Sequence, residues 1–164
     1  MATLFSILWL IVGILLQVLL FDHLSLWGGV VLFYVYMLSR MPVETKRIVQ
    51  ILTGFAAGAV VDVFCNTPGM HALAAGTLMF MRSPILHLLV ERDDFKAGVP
   101  CLRTMGMPAF SRYLLTLTIL HASILYVSEA FTVFHFWILL AKIVVSVVLT
   151  CLVAIVVELY IQNK

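Results

Sequence analysis

The stretch "VVDVFCNTPGMHALAAG", residues 60–76, interrupts an otherwise apolar run with an aspartate, an asparagine, Thr-Pro-Gly and a histidine. Its reading decides the fold. Apolar sequence on both sides, with a break of only a few residues, predicts two helices joined by a tight turn. Thr67 followed by Pro68 suits a helix start, with a hydroxyl at the cap and a proline where no amide donor is lost. Gly69 allows close approach. Residues 48–64 and 70–90 are therefore expected to form an antiparallel hairpin.

The faces of that hairpin carry a second message. Gly54, Gly58 and Asp62 are spaced four apart and share one helix face. Ala72 and Gly76 repeat the small-residue spacing after the turn. In lipid, close helix contact rests on such small residues. This face can pack the hairpin itself or receive a partner's span. Asp62 lies at the end of a long apolar helix, where an ionisable group is expected to face protein or water and to have a partner. Candidate partners are the first backbone amides of the next helix and His71. Asp62, Asn66 and His71 are expected to form one polar cluster.

Composition extends this to the whole chain. Of 164 residues, 63% are hydrophobic and only 11% charged, against about 25% charged in a soluble domain. So little charge cannot cover a water-facing surface, and an integral membrane protein is expected. Six apolar segments are visible, at 4–21, 24–38, 48–64, 70–90, 110–127 and 134–160, the second of them short. Six spans of about 20 residues use about 120 residues, which leaves one domain, 1–164, without a separate soluble part. The first segment lacks a basic leader and a small-residue cleavage site, so it reads as a retained span.

Basic residues give the orientation. With both termini cytoplasmic, Arg40, Lys46, Arg47, Arg82, Arg92, Lys96, Arg103, Arg112 and Lys164 fall on the cytoplasmic side, and Lys142 alone lies inside a span. The loops at 22–23, 65–69 and 128–133 have no Lys or Arg. The long connection, 91–108, then reads as a cytoplasmic connector on the membrane surface or a docking site. Lys142 either snorkels outward or pairs with Glu129, Asp22 or Asp62. Gln17 and His121 read as interhelical hydrogen bonders, and His23, His87 and His135 as span-end residues.

Little here suggests chemistry. Cys65, Cys101 and Cys151 are scattered, and Cys65 and Cys101 fall on opposite sides in this topology. Two ligands, Asp62 and His71, do not make a metal site, so neither metal nor cofactor is expected. The same pair is the one candidate for catalysis, as in a lipid-modifying hydrolase. No nucleophile elbow, HExxH, paired carboxylates or phosphate loop is present, and the expectation is a non-enzyme without nucleic-acid binding.

"GAVVDVFCNTPGMHALAAGTLMFMR" resembles the signature of the rod shape-determining MreD family, through Gly58, Asp62, Pro68, Gly69, His71 and Ala72. "RSPILHLLVERDDFKAGVPCLRTMGMPAFSRYLL" and "ILHASILYVSEAF" are similar to its longer-looped branch, so the resemblance covers nearly the whole chain. It implies an all-α integral membrane protein of six transmembrane helices, similar in fold to the substrate-binding subunits of energy-coupling-factor transporters. It also implies a non-catalytic scaffold of the bacterial cell-elongation complex in the cytoplasmic (inner) membrane. The implied partners are MreC, a single-span protein, and indirectly the MreB filament, RodA and its transpeptidase. The residues carried over as partner-binding or structural signature are Asp62, Pro68, Gly69 and His71; the bottom-up reading adds Gly54, Gly58, Asn66 and Lys142. The alternative is a membrane substrate-binding subunit of a vitamin transporter, with Asp62 and Lys142 lining a cavity.

Overall fold

A computed structural model describes residues 2–21, 25–89, 98–130 and 136–162. Asp22, His23, residues 91–97 of the long connection, 131–133, His135 and Lys164 lie outside the described residues. The chain is mostly helical. The elements are α1 (Ala2–Leu16) running into a π-helical turn (Gln17–Phe21), β1 (Ser25–Leu26), β2 (Gly29–Val30), α2 (Phe33–Ser39), α3 (Arg47–Cys65), α4 (Met70–Leu89), α5 (Leu102–Ala130) and α6 (Phe136–Gln162). Four of them, α3 to α6, are long and apolar enough to cross a membrane. Their outward faces carry large apolar side chains such as Leu52, Phe55, Val63, Val148, Leu152 and Val156, as expected of surface that meets lipid and not water.

The second apolar segment corrects the expectation of a helix over 24–38. It opens with a two-stranded antiparallel ribbon, Ser25 opposite Val30 and Leu26 opposite Gly29. Trp27 and Gly28 at its tip both have positive φ, 53° and 78°, the backbone of a type I′ turn. The chain turns helical only at Phe33. Non-helical backbone in an apolar interior needs acceptors for its amides, and other helices provide them. Val30 N–H donates to Ser146 Oγ at 2.9 Å and to Tyr126 Oη at 3.2 Å. Leu32 N–H donates to Thr150 Oγ1 at 2.8 Å, and Phe33 N–H to Gln17 Oε1 at 2.7 Å. Gln17, at the switch from α- to π-helix, is thus the interhelical hydrogen bonder expected of it.

Residues 31–39 are all buried, so α2 is the centre of the bundle with α1, α4, α5 and α6 around it. Val30 meets Ser146, Leu32 meets Thr150, and Tyr36 and Arg40 meet Glu158. The short segment therefore runs parallel to α6 over residues 146–158, a depth of about 18 Å at 1.5 Å per residue. Extended backbone up to Leu32 covers depth with fewer residues than helix does, and the long Tyr36 and Arg40 side chains reach the rest of the way to Glu158.

Two prolines sit within helices. α4 continues through Pro84 to Leu89. Pro84 has no N–H for the carbonyl of Phe80, and Arg47 Nη2 donates to that oxygen at 3.3 Å with its guanidinium 4.4 Å from the Phe80 ring. α5 begins earlier than expected, at Leu102, and is broken at Gly106 (φ 73°, ψ 161°) just before Pro108. Leu102 and Met105 are buried, and Val43 N–H donates to Gly98 O at 3.1 Å. The described part of the connection, 98–108, is therefore anchored to the bundle at Pro100, Leu102 and Met105, while Arg103, Thr104 and 106–108 stay exposed.

Candidate functional site

Besides the acceptors along α2, two polar clusters lie at the two ends of the bundle. At the hairpin end, Asp62 in the last turn of α3 caps α4 across the turn. Its Oδ1 accepts from His71 N–H at 2.9 Å and from Thr67 Oγ1 at 2.7 Å, and its Oδ2 accepts from Ala72 N–H at 2.9 Å. A carboxylate on orphan amides at the positive end of a helix is favoured by both hydrogen bonding and the dipole. The expected cap is corrected. α4 starts at Met70, so Thr67 is not its cap and Pro68 is not its first residue. Thr67 instead donates to Asp62, and Gly69, with φ 80°, holds the position before the helix and accepts Leu73 N–H at 3.0 Å.

Asn66 enters through its backbone. It ends α3 in the left-handed conformation (φ 55°, ψ 38°), with its N–H on Asp62 O, a cap asparagine tolerates better than most residues. His71 meets Asp62 through its main-chain N–H, while its Nδ1 lies 3.2 Å from Tyr34 Oη. Tyr34 Oη in turn lies 2.5 Å from His121 Nε2. Lys142 pairs with Glu129 at 3.0 Å, one of its expected partners, at a half-exposed site 5.7 Å from the Tyr126 ring.

Gly54 and Gly58 face α4. A Cβ on Gly54 would stand 2.8 Å from Ala75 O, and one on Gly58 2.6 Å from the Ala72 Cα. Both glycines are buried, so this face is spent on the hairpin and is closed to a partner's span. Gly76 is different, with Phe55 at an ordinary 3.7 Å.

Two hollows lie at this end. A shallow groove of about 580 Å³ runs along the outside of the hairpin past Phe55, Ala59, Val63, Asn66 and Ala72. A cleft of about 180 Å³ lies between the ribbon, α3, α4 and α5, with Gly28 and Glu129 exposed at its rim and His71 and Tyr126 buried in its wall. Among the described residues no three His, Cys, Asp or Glu side chains group as metal ligands. Cys65, Cys101 and Cys151 form no disulfide.

The opposite end holds what sequence reasoning missed. Arg82, counted above as a cytoplasmic charge, is 1% exposed. Its Nε donates to Tyr113 Oη at 3.0 Å, its Nη1 to Gln50 Oε1 at 2.9 Å, and its Nη2 to the carbonyls of Ser39 (3.3 Å) and Met41. Two of these are carbonyls at the negative end of α2, which a guanidinium complements. Glu158, 3% exposed, accepts Leu102 N–H at 2.9 Å on Oε1, and Tyr36 Oη and Arg40 Nη1 (3.1 Å) on Oε2. Burial works against the Arg40 charge, yet Tyr36 and Glu158 outweigh it and hold its pKa above the ordinary guanidinium value. The available signals were a lone Arg seven residues inside a span and a lone Glu in the last apolar helix. Neither reveals its partners.

Fold and site together define a mainly helical chain with four helices of membrane-spanning length and a buried polar brace at each end. No family model, curated protein or solved structure matches it.

Proposed function

We propose that this chain is a non-catalytic scaffold of the bacterial cell-elongation complex. In this reading it crosses the cytoplasmic membrane six times, with both termini inside, and holds an MreC-like single-span protein through which MreB, RodA and a transpeptidase are reached. The observation that carries the reading is the shallow groove on the outside of the hairpin, where the small Ala59, Gly69 and Ala72 lie between the larger Phe55 and Val63. Small-residue surfaces are where helices associate in lipid, and this one remains after Gly54 and Gly58 have been used internally.

The charge distribution supports the orientation. Arg40, Lys46, Arg47 and Arg103 belong to the end where α2 and α6 finish, and the opposite end carries Asp62, Glu129 and the single paired Lys142. Asp62 has donors on both oxygens, which suits a brace better than a general base. The vitamin-carrier alternative has less support, because the hollow of about 580 Å³ is an open groove on the outside of the hairpin and the cleft between the helices, about 180 Å³, is smaller than the roughly 300–1,000 Å³ of small-molecule sites.

The test is a mild-detergent pull-down of the tagged chain from its native membranes, with retained molecules identified by mass spectrometry. A single-span MreC-like protein in comparable amount, lost in Ala59→Trp while the fold persists, is the expected result. A transport motor or a bound vitamin in its place overturns the reading.

A further inference from the structure

The ribbon that opens the second apolar segment carries an unexpected side chain at its tip. Trp27 is 89% exposed. Its φ is 53°, at the first central position of a turn that usually takes asparagine, aspartate or glycine there. A bulky residue with positive φ is an outlier, and such strain is kept where the residue has a task. Facing water, Trp27 would be unfavourable twice, in its backbone and in its bare indole.

The depth of the tip says what the indole meets. On α6, the exposed rings of Trp137 and Tyr160 stand near the two ends of the helix. The helix between them rises roughly 35 Å at 1.5 Å per residue, enough to cross a hydrocarbon core of about 30 Å. The ribbon packs against the first turns of α6. A Cβ on Gly28 would stand 3.0 Å from Lys142 Cε, and one on Gly29 2.9 Å from Val145 Cγ1. Trp27, next along the turn, thus lies within about 10 Å of Trp137 in depth. The Lys142–Glu129 pair lies at the same level, where headgroups and water are within reach of its charges. Phe136 and Trp137, packed edge to face with centroids 5.9 Å apart, put a second exposed aromatic group at this end. Tryptophan is enriched where membrane meets water.

We propose that Trp27 anchors the ribbon in the membrane interface, with its indole at the boundary of headgroups and acyl chains in the leaflet at the hairpin end. The body of the ring rests among acyl chains, and its N–H is left to headgroup oxygens or water. Val30, three residues on, is held to α6 and α5 through Ser146 and Tyr126. The anchor therefore fixes the depth at which the chain enters α2. What is recognised is the interface itself and not one headgroup. The inference rests on the chain crossing a membrane, and on no partner protein.

The experiment uses single-tryptophan forms of the full chain in lipid nanodiscs. Of the three tryptophans, Trp9→Phe with Trp137→Phe leaves Trp27, and Trp9→Phe with Trp27→Phe leaves Trp137 as a companion. Fluorescence is challenged with nitroxide-labelled lipid, the label near the glycerol or near the chain end, and with aqueous iodide. The expected result is that Trp27 loses most of its fluorescence to the shallow label, less to the deep label and least to iodide. Loss to iodide alone puts the indole in water and overturns the anchor, and lipid quenching of Trp137 in the companion shows that the span still stands. Greater loss to the deep label puts the ring in the hydrocarbon core, and no loss to any quencher puts it under protein; either overturns the anchor. Lipid labels that leave both tryptophans untouched overturn the anchor together with the membrane placement of α6.

Discussion

The two ends of the bundle each bury a carboxylate that caps another helix, yet they draw on the chain differently. Asp62 finds its donors 5, 9 and 10 residues away, all within one hairpin. Glu158 finds its donors 56, 118 and 122 residues away, on α5 and on the α2 segment. Arg82 belongs with Glu158, with partners 31 to 43 residues away. The hairpin end is therefore a local brace that the α3–α4 unit can form by itself. The other end forms only when α2, α4, α5 and α6 are all in place. A buried ionic group with distant partners specifies which packing is adopted, and the local one specifies a turn.

That contrast has consequences of graded size. The largest is expected at Arg82. Arg82→Met leaves the Met41 carbonyl and Gln50 Oε1 without this donor, while Tyr113 Oη keeps its bond to Ser39 O at 3.0 Å. At about 1–3 kcal/mol per unsatisfied buried group and with a poorly filled site, it costs about 3–5 kcal/mol, read from denaturant unfolding of the chain in mixed micelles. A loss smaller than that of Asp62→Asn would break the distinction between the ends. Glu158→Gln follows at about 3 kcal/mol, since it leaves the Arg40 guanidinium without its counter-charge. A double-mutant cycle with Arg40→Met should return a coupling of about 1–3 kcal/mol.

Asp62→Asn is next, at about 1.5–3 kcal/mol, because an amide keeps one acceptor and turns a donor toward the α4 amides. Its signature is local: faster hydrogen exchange at His71 and Ala72, with the α5 and α6 amides unchanged. Glu158→Gln should instead raise exchange at Leu102. Exchange that spreads over the whole chain in Asp62→Asn would show the hairpin end to be as global as the other. The smallest effects separate two glycines on the hairpin. Gly58→Ala drives a methyl into the start of α4 and costs about 1–3 kcal/mol. Gly76→Ala meets only ordinary contact with Phe55 and should stabilise by about 0.5–1 kcal/mol.

What was legible in the sequence follows the same division. The hairpin at 60–76, the small-residue face of Gly54 and Gly58, and the link between Asp62 and the first amides of α4 could all be read, because each is a matter of spacing within a few turns. So could the Lys142–Glu129 pair, as one choice among three. The local cap was misassigned because Thr-Pro is a sound helix-start signal, but a carboxylate from across the turn supplies a stronger, charge-assisted acceptor. The second apolar segment was misread for a different reason. "WGGVVLFYVY" is apolar in either conformation, and hydropathy does not distinguish a helix from extended backbone whose amides are satisfied elsewhere.

The sequence by itself determined the apolar character of this protein and its local turns. Low charge content and apolar run lengths select helices long and apolar enough to cross a membrane, and short-range spacing selects the hairpin. Only the tertiary structure decided that α2 is a seven-residue helix at the centre, that Ser146, Thr150, Tyr126 and Gln17 stand in for missing backbone partners, and that Arg82 and Glu158 lie buried. The physical reason is that a buried donor or acceptor must be satisfied by whatever group the packing brings within about 3 Å. When that group lies a hundred residues along the chain, no local pattern announces it.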